Sequence, residues 1–305
     1  MAKNNNVGNV SLREREYARK IKAQAIIRLV ICIIITVISL LPIYLMIINA
    51  TRTSADITGN GGVSLLPGDG LGENFSILHD PEQATGAYVR SFNLFHGYLN
   101  SLIIAGCSTI LSVVFSSLTA YGLTVYDFKL KKLATVFILG VMMIPTQVVS
   151  TGFLKFMISI GLMNSYIPLI RPSIASPTVV FFILQYMKSS FPLEIVEAAR
   201  IDGCGELMTF VRIALPMLRP AIAVQAIFAF VASWNNYYMP SMLITGGVEQ
   251  RTIPMMVSMI LNNSQISNFG VRYLAITLSI LPVIIIYLCL SKFIVKGVAL
   301  GAVKG

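Results

Sequence analysis

The sequence predicts an all-α integral membrane protein with six transmembrane helices. Three observations carry this. The 305 residues are 55% hydrophobic and only 12% charged, with a mean hydropathy of +0.77, whereas soluble domains are about 25% charged. Apolar runs of about 20 residues recur along the chain, the length a helix needs to cross a hydrocarbon core of about 30 Å. Lysine and arginine are spread unevenly over the segments that join those runs. In a soluble protein a net charge of +10 would suggest nucleic acid. Here it reads as basic residues flanking the spans, so a lipid bilayer is expected and nucleic acid is not.

The elements follow in order. The amino-terminal arm, 1–28, places its bases at helical spacing in LREREYARKIKAQAIIR, the pattern of an amphipathic helix lying on the cytoplasmic leaflet. It is not a cleavable signal, because the apolar run after it is too long and no small-residue cleavage site follows. Between Arg28 and Arg52 lie 23 uncharged residues, which give a first span at 29–50. An extracytoplasmic loop at 51–96 follows. Its stretch GNGGVSLLPGDGLGENFSIL is dense in turn formers, and it is long for a connection. Two readings stay open, a cover or partner contact at the mouth of the protein and flexible filler. His79 and His96 share this loop and read as solvated or locally bonded rather than metal-binding. The four cysteines form no ligand or disulfide pattern.

A core at 97–294 supplies five more spans, near 97–126, 133–154, 165–187, 220–248 and 273–291. Arg171 and a cluster of prolines blur the start of the fourth, and the arginine is expected to snorkel to the interface. A glycine-rich tail closes the chain at 295–305. Six spans put both termini on one side. That side collects 17 of the 23 lysines and arginines, so the termini are expected in the cytoplasm of a bacterial cell.

The segment 188–219, between the fourth and fifth spans, carries four bases against four acids. It reads as helix, turn, helix. Pro192 suits a first helical turn. Glu194 and Glu197 would sit near the positive end of the helix dipole and Arg200 near the negative end. Gly203 can take the left-handed conformation that ends a helix. A second helix from about Glu206 would show one apolar face made of Leu207, Phe210, Val211 and Ala214. From the residues alone, this is either a knob for a partner's groove or a connector packed on its own bundle.

Glu197, Ala198 and Ala199, then Gly203, then Ile213, Leu215 and Pro216 resemble the EAA loop of bacterial ABC importer permeases. The segment EAARIDG with its LP is similar to carbohydrate importers of the maltose type. SWNN at 233–236, with Pro240 after it, and the tail GVALGAVKG resemble that family's second permease. The resemblance runs from about Tyr98 to the end of the chain. It implies an ABC type I importer permease fold with a cytoplasmic coupling helix between the fourth and fifth spans. It also implies that this helix docks on an ATPase. Glu197 would be the charged contact, with Arg200 and Asp202 in the same segment. Ala198 and Ala199 would form the close-packing face, and Gly203 the turn. The tail, with Gly301, Lys304 and Gly305, would thread between two ATPase subunits. The further partners implied are a second related permease, an extracellular solute-binding protein and a sugar. The chain has no GxxxxGK[ST], so ATP and Mg would belong to the ATPase, and no cofactor, metal or catalytic residue is expected here.

Polar groups in spans are functional candidates because they are costly in lipid. Gln147, near Pro145, and Gln225, Trp234, Asn235, Asn236 and Tyr237 are the candidates for a solute path, since amides and aromatic rings suit sugar hydroxyls and ring faces. An interfacial aromatic belt and helix-to-helix bonding are the competing readings. In the maltose-type family the other permease holds most of the substrate, so these groups would then only line a cavity. Gly106, Ser108, Ser112, Ser116 and Ser117 read as close helix packing. An ion-coupled secondary transporter is the alternative, weakened by the lack of a mid-span acid or histidine. No residue set suits a membrane enzyme.

Overall fold

The structure, a computed structural model, describes residues 4–59, 62–79, 92–262 and 268–302. Its helices in chain order are α1 (Asn4–Ala50), α2 (Ser54–Gly59), α3 (Leu71–His79), α4 (Leu94–Val125), α5 (Lys131–Met142), α6 (Thr146–Ser159), α7 (Ile167–Ile170), α8 (Pro177–Ser190), α9 (Glu194–Ile201), α10 (Glu206–Thr209), α11 (Leu215–Met217), α12 (Arg219–Trp234), α13 (Tyr238–Leu243), α14 (Ile253–Asn262) and α15 (Phe269–Ala302). A 3-10 turn, Arg171–Ile174, follows α7, and a π-turn, Phe210–Ala214, joins α10 to α11. Among the described residues, four stretches are long and apolar enough to cross a membrane as they stand, Arg19–Ala50, Leu94–Val125, Ile167–Ser190 and Phe269–Cys289. Two bent pairs bring the number to six if each is one span.

The bends correct two expected spans. The third run does not cross straight. It breaks before Pro145, and α5 and α6 meet at 92°. Proline lacks the N–H an uninterrupted helix needs and its ring crowds the preceding turn. Pro145 takes extended backbone angles and becomes the N-cap of α6. The fifth run ends at Trp234, not near 248. Residues 235–237 turn the chain into the short α13, and the segment before it, Glu206–Met217, meets α12 at 79°. The sequence also hid α14 inside a loop. Ten residues at 1.5 Å each cannot cross about 30 Å, yet Ile253, Met255, Met256, Val257 and Ile260 are all buried.

Two further expectations change. The arm is not a separate helix lying on a leaflet, because α1 runs without a break from the arm into the first span. The tail is helical as far as Ala302, so Gly301 lies in α15 rather than in an extended thread. Lys304 and Gly305 lie outside the described residues.

The chain divides into two compact units, residues 1–74 with 268–277, and residues 75–267 with 278–305. In the first, the described part of the expected loop is folded rather than filler. Asn49 is fully buried. Its amide donates to the carbonyls of Leu45 and Ser64, and its oxygen accepts from the Ser64 N–H. Asn74 donates to the carbonyls of Ala50 and Arg52. A side chain at Gly270 would collide with the Arg52 carbonyl and the Asn74 amide, so only glycine fits there.

In the second unit α4 is the central post, packed against α8 and α12. Lipid is as apolar as a protein core, so close packing and polar ties, rather than burial from water, must hold such helices together. Ser116 and Ser117 are fully buried in α4, which fits the packing expectation. Gly106 does not fit it, since a methyl group there would meet open space. One core cluster joins Ala120 and Tyr121 of α4 to Val180, Ile183, Leu184 and Met187 of α8. Outside the helices, Asn164 adopts a positive φ of 56°. Its side-chain oxygen accepts from the N–H groups of Thr245 and Gly246, tying two loops together.

Candidate coupling loop and solute path

Helix α9 begins one residue after its N-cap, Leu193, with Pro192 just ahead of it. Glu194 and Glu197 lie in its first turn and Arg200 in its last, as the dipole favours. Gly203 has φ +75°. The Cys204 N–H donates to the Ala199 carbonyl at 2.9 Å, closing a Schellman turn. The turn expected from the sequence is therefore present, with Gly203 at its left-handed position.

The faces of the two helices are only partly as expected. Val196 and Ala199 point inward, at 1% and 6% exposure. Val196 joins the core cluster of α4 and α8, together with Phe191, Phe210, Ala214 and Leu218. Ala199 is thus packed on its own chain, and only Ala198 of the pair is free for a partner. The outward surface is Glu197, Ala198, Asp202 and Ile201, the last 87% exposed. Leu207 and Val211 do not share a buried face with Phe210 and Ala214. They are exposed, and the regular α-helix expected from Glu206 stops at Thr209, where the π-turn 210–214 replaces it. Ile213 is half-buried. Leu215 and Pro216, with Val113, Val114, Ser117 and Ile222, line a groove of about 300 Å³.

Arg200 is committed within the chain. Its Nε donates to Glu206 Oε1 at 2.8 Å across the Gly203 turn. The Tyr126 hydroxyl donates to Glu206 Oε2 at 2.6 Å. The Arg200 guanidinium lies 5.6 Å from the centre of the Tyr126 ring. The bond from Arg200, and then that from Tyr126, holds the Glu206 carboxyl below the usual carboxylate range. The same bonds raise the Arg200 guanidinium and, chiefly through the hydrogen bond to Glu206, the Tyr126 phenol. The three groups brace the turn against the end of α4. Sequence reading missed this brace, because Tyr126 and Glu206 are 80 positions apart. The Glu197 side chain has no hydrogen bond or ion pair among the described residues, and faces water.

The residues expected along a path divide. Gln225 is 6% exposed. With Ser108, Ser112, Ser176, Phe228 and Asn236 it lines a cavity of about 380 Å³. Asn236 also lines a second cavity of about 590 Å³, along with Met142, Thr146 and Met239, and its oxygen accepts from the Met239 N–H at 3.3 Å. Gln147 is exposed and accepts from Thr146 Oγ1 at 3.4 Å. Asn235 caps α12 and is exposed, as is Tyr237. Trp234 must be removed from the path. It is 1% exposed, its Nε1 donates to the Ser279 carbonyl at 3.0 Å, and its ring stacks on Phe230 and Tyr98. A satisfied, covered indole cannot meet a solute. Ser108 and Ser112, read as packing residues, instead stand on the cavity wall. No set of three His, Cys, Asp or Glu that could hold a metal occurs among the described residues.

Comparison with known proteins follows this geometry. Residues 112–300 match the family described as the binding-protein-dependent transport system inner membrane component. The chain is 32% identical to the arabinooligosaccharides transport system permease protein AraQ of Bacillus subtilis (strain 168), over 89% of this chain and 92% of that one. It is 33% identical to the trehalose/maltose transport system permease protein MalG of Thermococcus litoralis, over 76% and 81%. Among solved structures it resembles a bacterial ABC transporter involved in the import of the acidic polysaccharide alginate, with a TM-score of 0.70, 22% identity, and coverage of 89% and 96%. The match over residues 112–300 and the 32% identity over most of both chains show that the chain belongs to the family of binding-protein-dependent transport system inner membrane components.

Proposed function

We propose that this chain is the permease subunit of an ATP-driven importer, and that it passes a sugar or oligosaccharide handed over by an extracellular binding protein. The single observation that carries the reading is the build of the coupling loop. Its outer surface offers Glu197, Ala198 and the bare Ile201 to a partner, while Val196 is fixed in the core of α4 and α8. A knob anchored this way moves with the spans. Burying a valine from water contributes about 1.5–3 kcal/mol, enough for a small push on the knob to be passed on rather than absorbed. An ATPase would close on that knob during its cycle, with ATP and Mg held in the ATPase. The solute class rests on relatives that carry arabino-oligosaccharides and trehalose or maltose. A second, related permease completes the path in this reading, and the excess of lysine and arginine on one side supports cytoplasmic termini. Membership of the family makes the chain a transport component and not an enzyme, and sets aside the ion-coupled alternative.

The test is uptake in native vesicles. Saccharide uptake should survive collapse of proton and sodium gradients and stop without ATP. Glu197→Lys should leave the protein in the membrane and ATP hydrolysis running while uptake falls. Uptake that follows an ion gradient, or a Glu197→Lys variant that imports normally, would overturn the reading.

A further inference from the structure

We propose that the cavity of about 380 Å³ between α4, α8 and α12 is a binding subsite of this chain's own for one uncharged glycosyl unit. The inference rests on the importer reading above and adds where the solute is held and what chemistry it must have. The fold brings small polar groups from three directions to one wall. Ser108 and Ser112 come from α4, Ser173 and Ser176 from the turn before α8, and Gln225 and Asn236 from α12 and its end.

Of the three buried polar groups on this wall, Ser108, Ser112 and Gln225, two have no hydrogen-bond partner among the described residues. Gln225 is 6% exposed and Ser112 is 4% exposed, and neither side chain makes a hydrogen bond among the described residues. A carboxamide has two donors and two acceptor sites, and here they are open to the cavity rather than used within the fold. Packing between helices would have matched them to backbone carbonyls of a neighbouring element, as Ser116 of α4 donates to the Ser176 carbonyl at 3.4 Å. Groups that both donate and accept suit hydroxyls, which do the same. The ring of Phe228 on the same wall offers a face for the apolar side of a sugar ring.

Charge fixes the second half of the inference. No Lys, Arg, His, Asp or Glu lines this cavity or the adjoining one. A carboxylate or phosphate is normally met by Arg or Lys, and neither is present. Helix α8 starts at the wall, but Pro177 at its first position brings no N–H. The volume lies at the small end of ligand pockets, about 300–1,000 Å³, which suits one ring rather than a chain of them. Asn236 and Leu169 belong to both cavities, so the rest of an oligosaccharide would continue past Asn236.

The experiment uses the full complex in proteoliposomes with its partner permease, ATPase and binding protein. The probes are arabinotriose, raffinose and maltotriose, with trigalacturonate as the charged counterpart, each at saturating loaded binding protein. Gln225→Leu should lower uptake of the accepted neutral saccharide about tenfold, since the lost bonds are worth that order of rate. Ser112→Ala, which removes one oxygen without changing the helix, should lower it several-fold in a complex that assembles normally, so a folding defect in the first variant does not decide the matter. Wild-type uptake in both variants would overturn the subsite while leaving the importer reading intact. Trigalacturonate carried as well as the neutral sugars would overturn its uncharged character. A wild-type complex that imports no saccharide at all would overturn the importer reading and the subsite with it.

Discussion

Gly203 is the position where a single backbone angle should control coupling. Its φ of +75° is left-handed, and a β-carbon added there would meet no atom within 4 Å. Any cost of substitution is therefore backbone cost alone, without collision. For an ordinary L-residue that cost is about 1–2 kcal/mol, which lowers the ratio of correctly turned to alternative loops by roughly 5–30-fold. Asparagine tolerates the left-handed region and should cost less, and a β-branched residue should cost more. Proline is excluded twice. Its ring fixes φ near −65°, and it removes the N–H that donates to the Arg200 carbonyl at 3.0 Å. The expected order of saccharide imported per ATP hydrolysed is Gly, Asn, Ala, Val, Pro. Gly203 is exposed and outside the core cluster, so the melting temperature should hardly follow that order. The assay is uptake and phosphate release measured together in reconstituted vesicles, with a thermal melt of each variant. Equal coupling in the Asn and Val variants would refute the backbone argument. Full import by Gly203→Pro would refute the role of the turn.

Glu206→Ala should loosen the same turn by freeing Arg200 and Tyr126, and hydrogen exchange at Cys204, corrected for intrinsic rate, should speed up. The folded-state Glu206 carboxyl titrates below its unfolded value. Its contribution is therefore present above the ordinary carboxylate range and lost as pH falls through the depressed value. Faster exchange in the wild type should begin only there, and a wild-type change near neutral pH would sink the brace. Trp234→Phe removes the bond to the Ser279 carbonyl and part of a fully buried ring, and should destabilise by about 1–3 kcal/mol. A thermal melt should show that loss with saccharide preference unchanged, and an altered preference would return Trp234 to the path.

The sequence by itself determined the parts that depend on local chemistry. Runs such as 29–50 are too apolar to be anything but spans, and Gly203 three residues past Arg200 can end α9 because only the backbone angle is at issue. The breaks before Pro145 and before Arg219 are not read from the sequence, and their angles of 92° and 79° depend on what the following helix packs against. Tertiary structure alone decided which face is which. Ala198 and Ala199 are identical in chemistry, and a rotation of about 100° from one residue to the next turns the second inward, at 6% exposure, and leaves the first exposed. The same holds for Trp234 and Asn236, two positions apart, one sealed by Phe230 and Tyr98 and the other opening on both cavities. In a chain that is apolar nearly all round, hydrophobicity says which segments enter the membrane, but with lipid as apolar as protein it cannot say which side of a helix meets the bundle. That is settled by shape and by the few hydrogen bonds that span it.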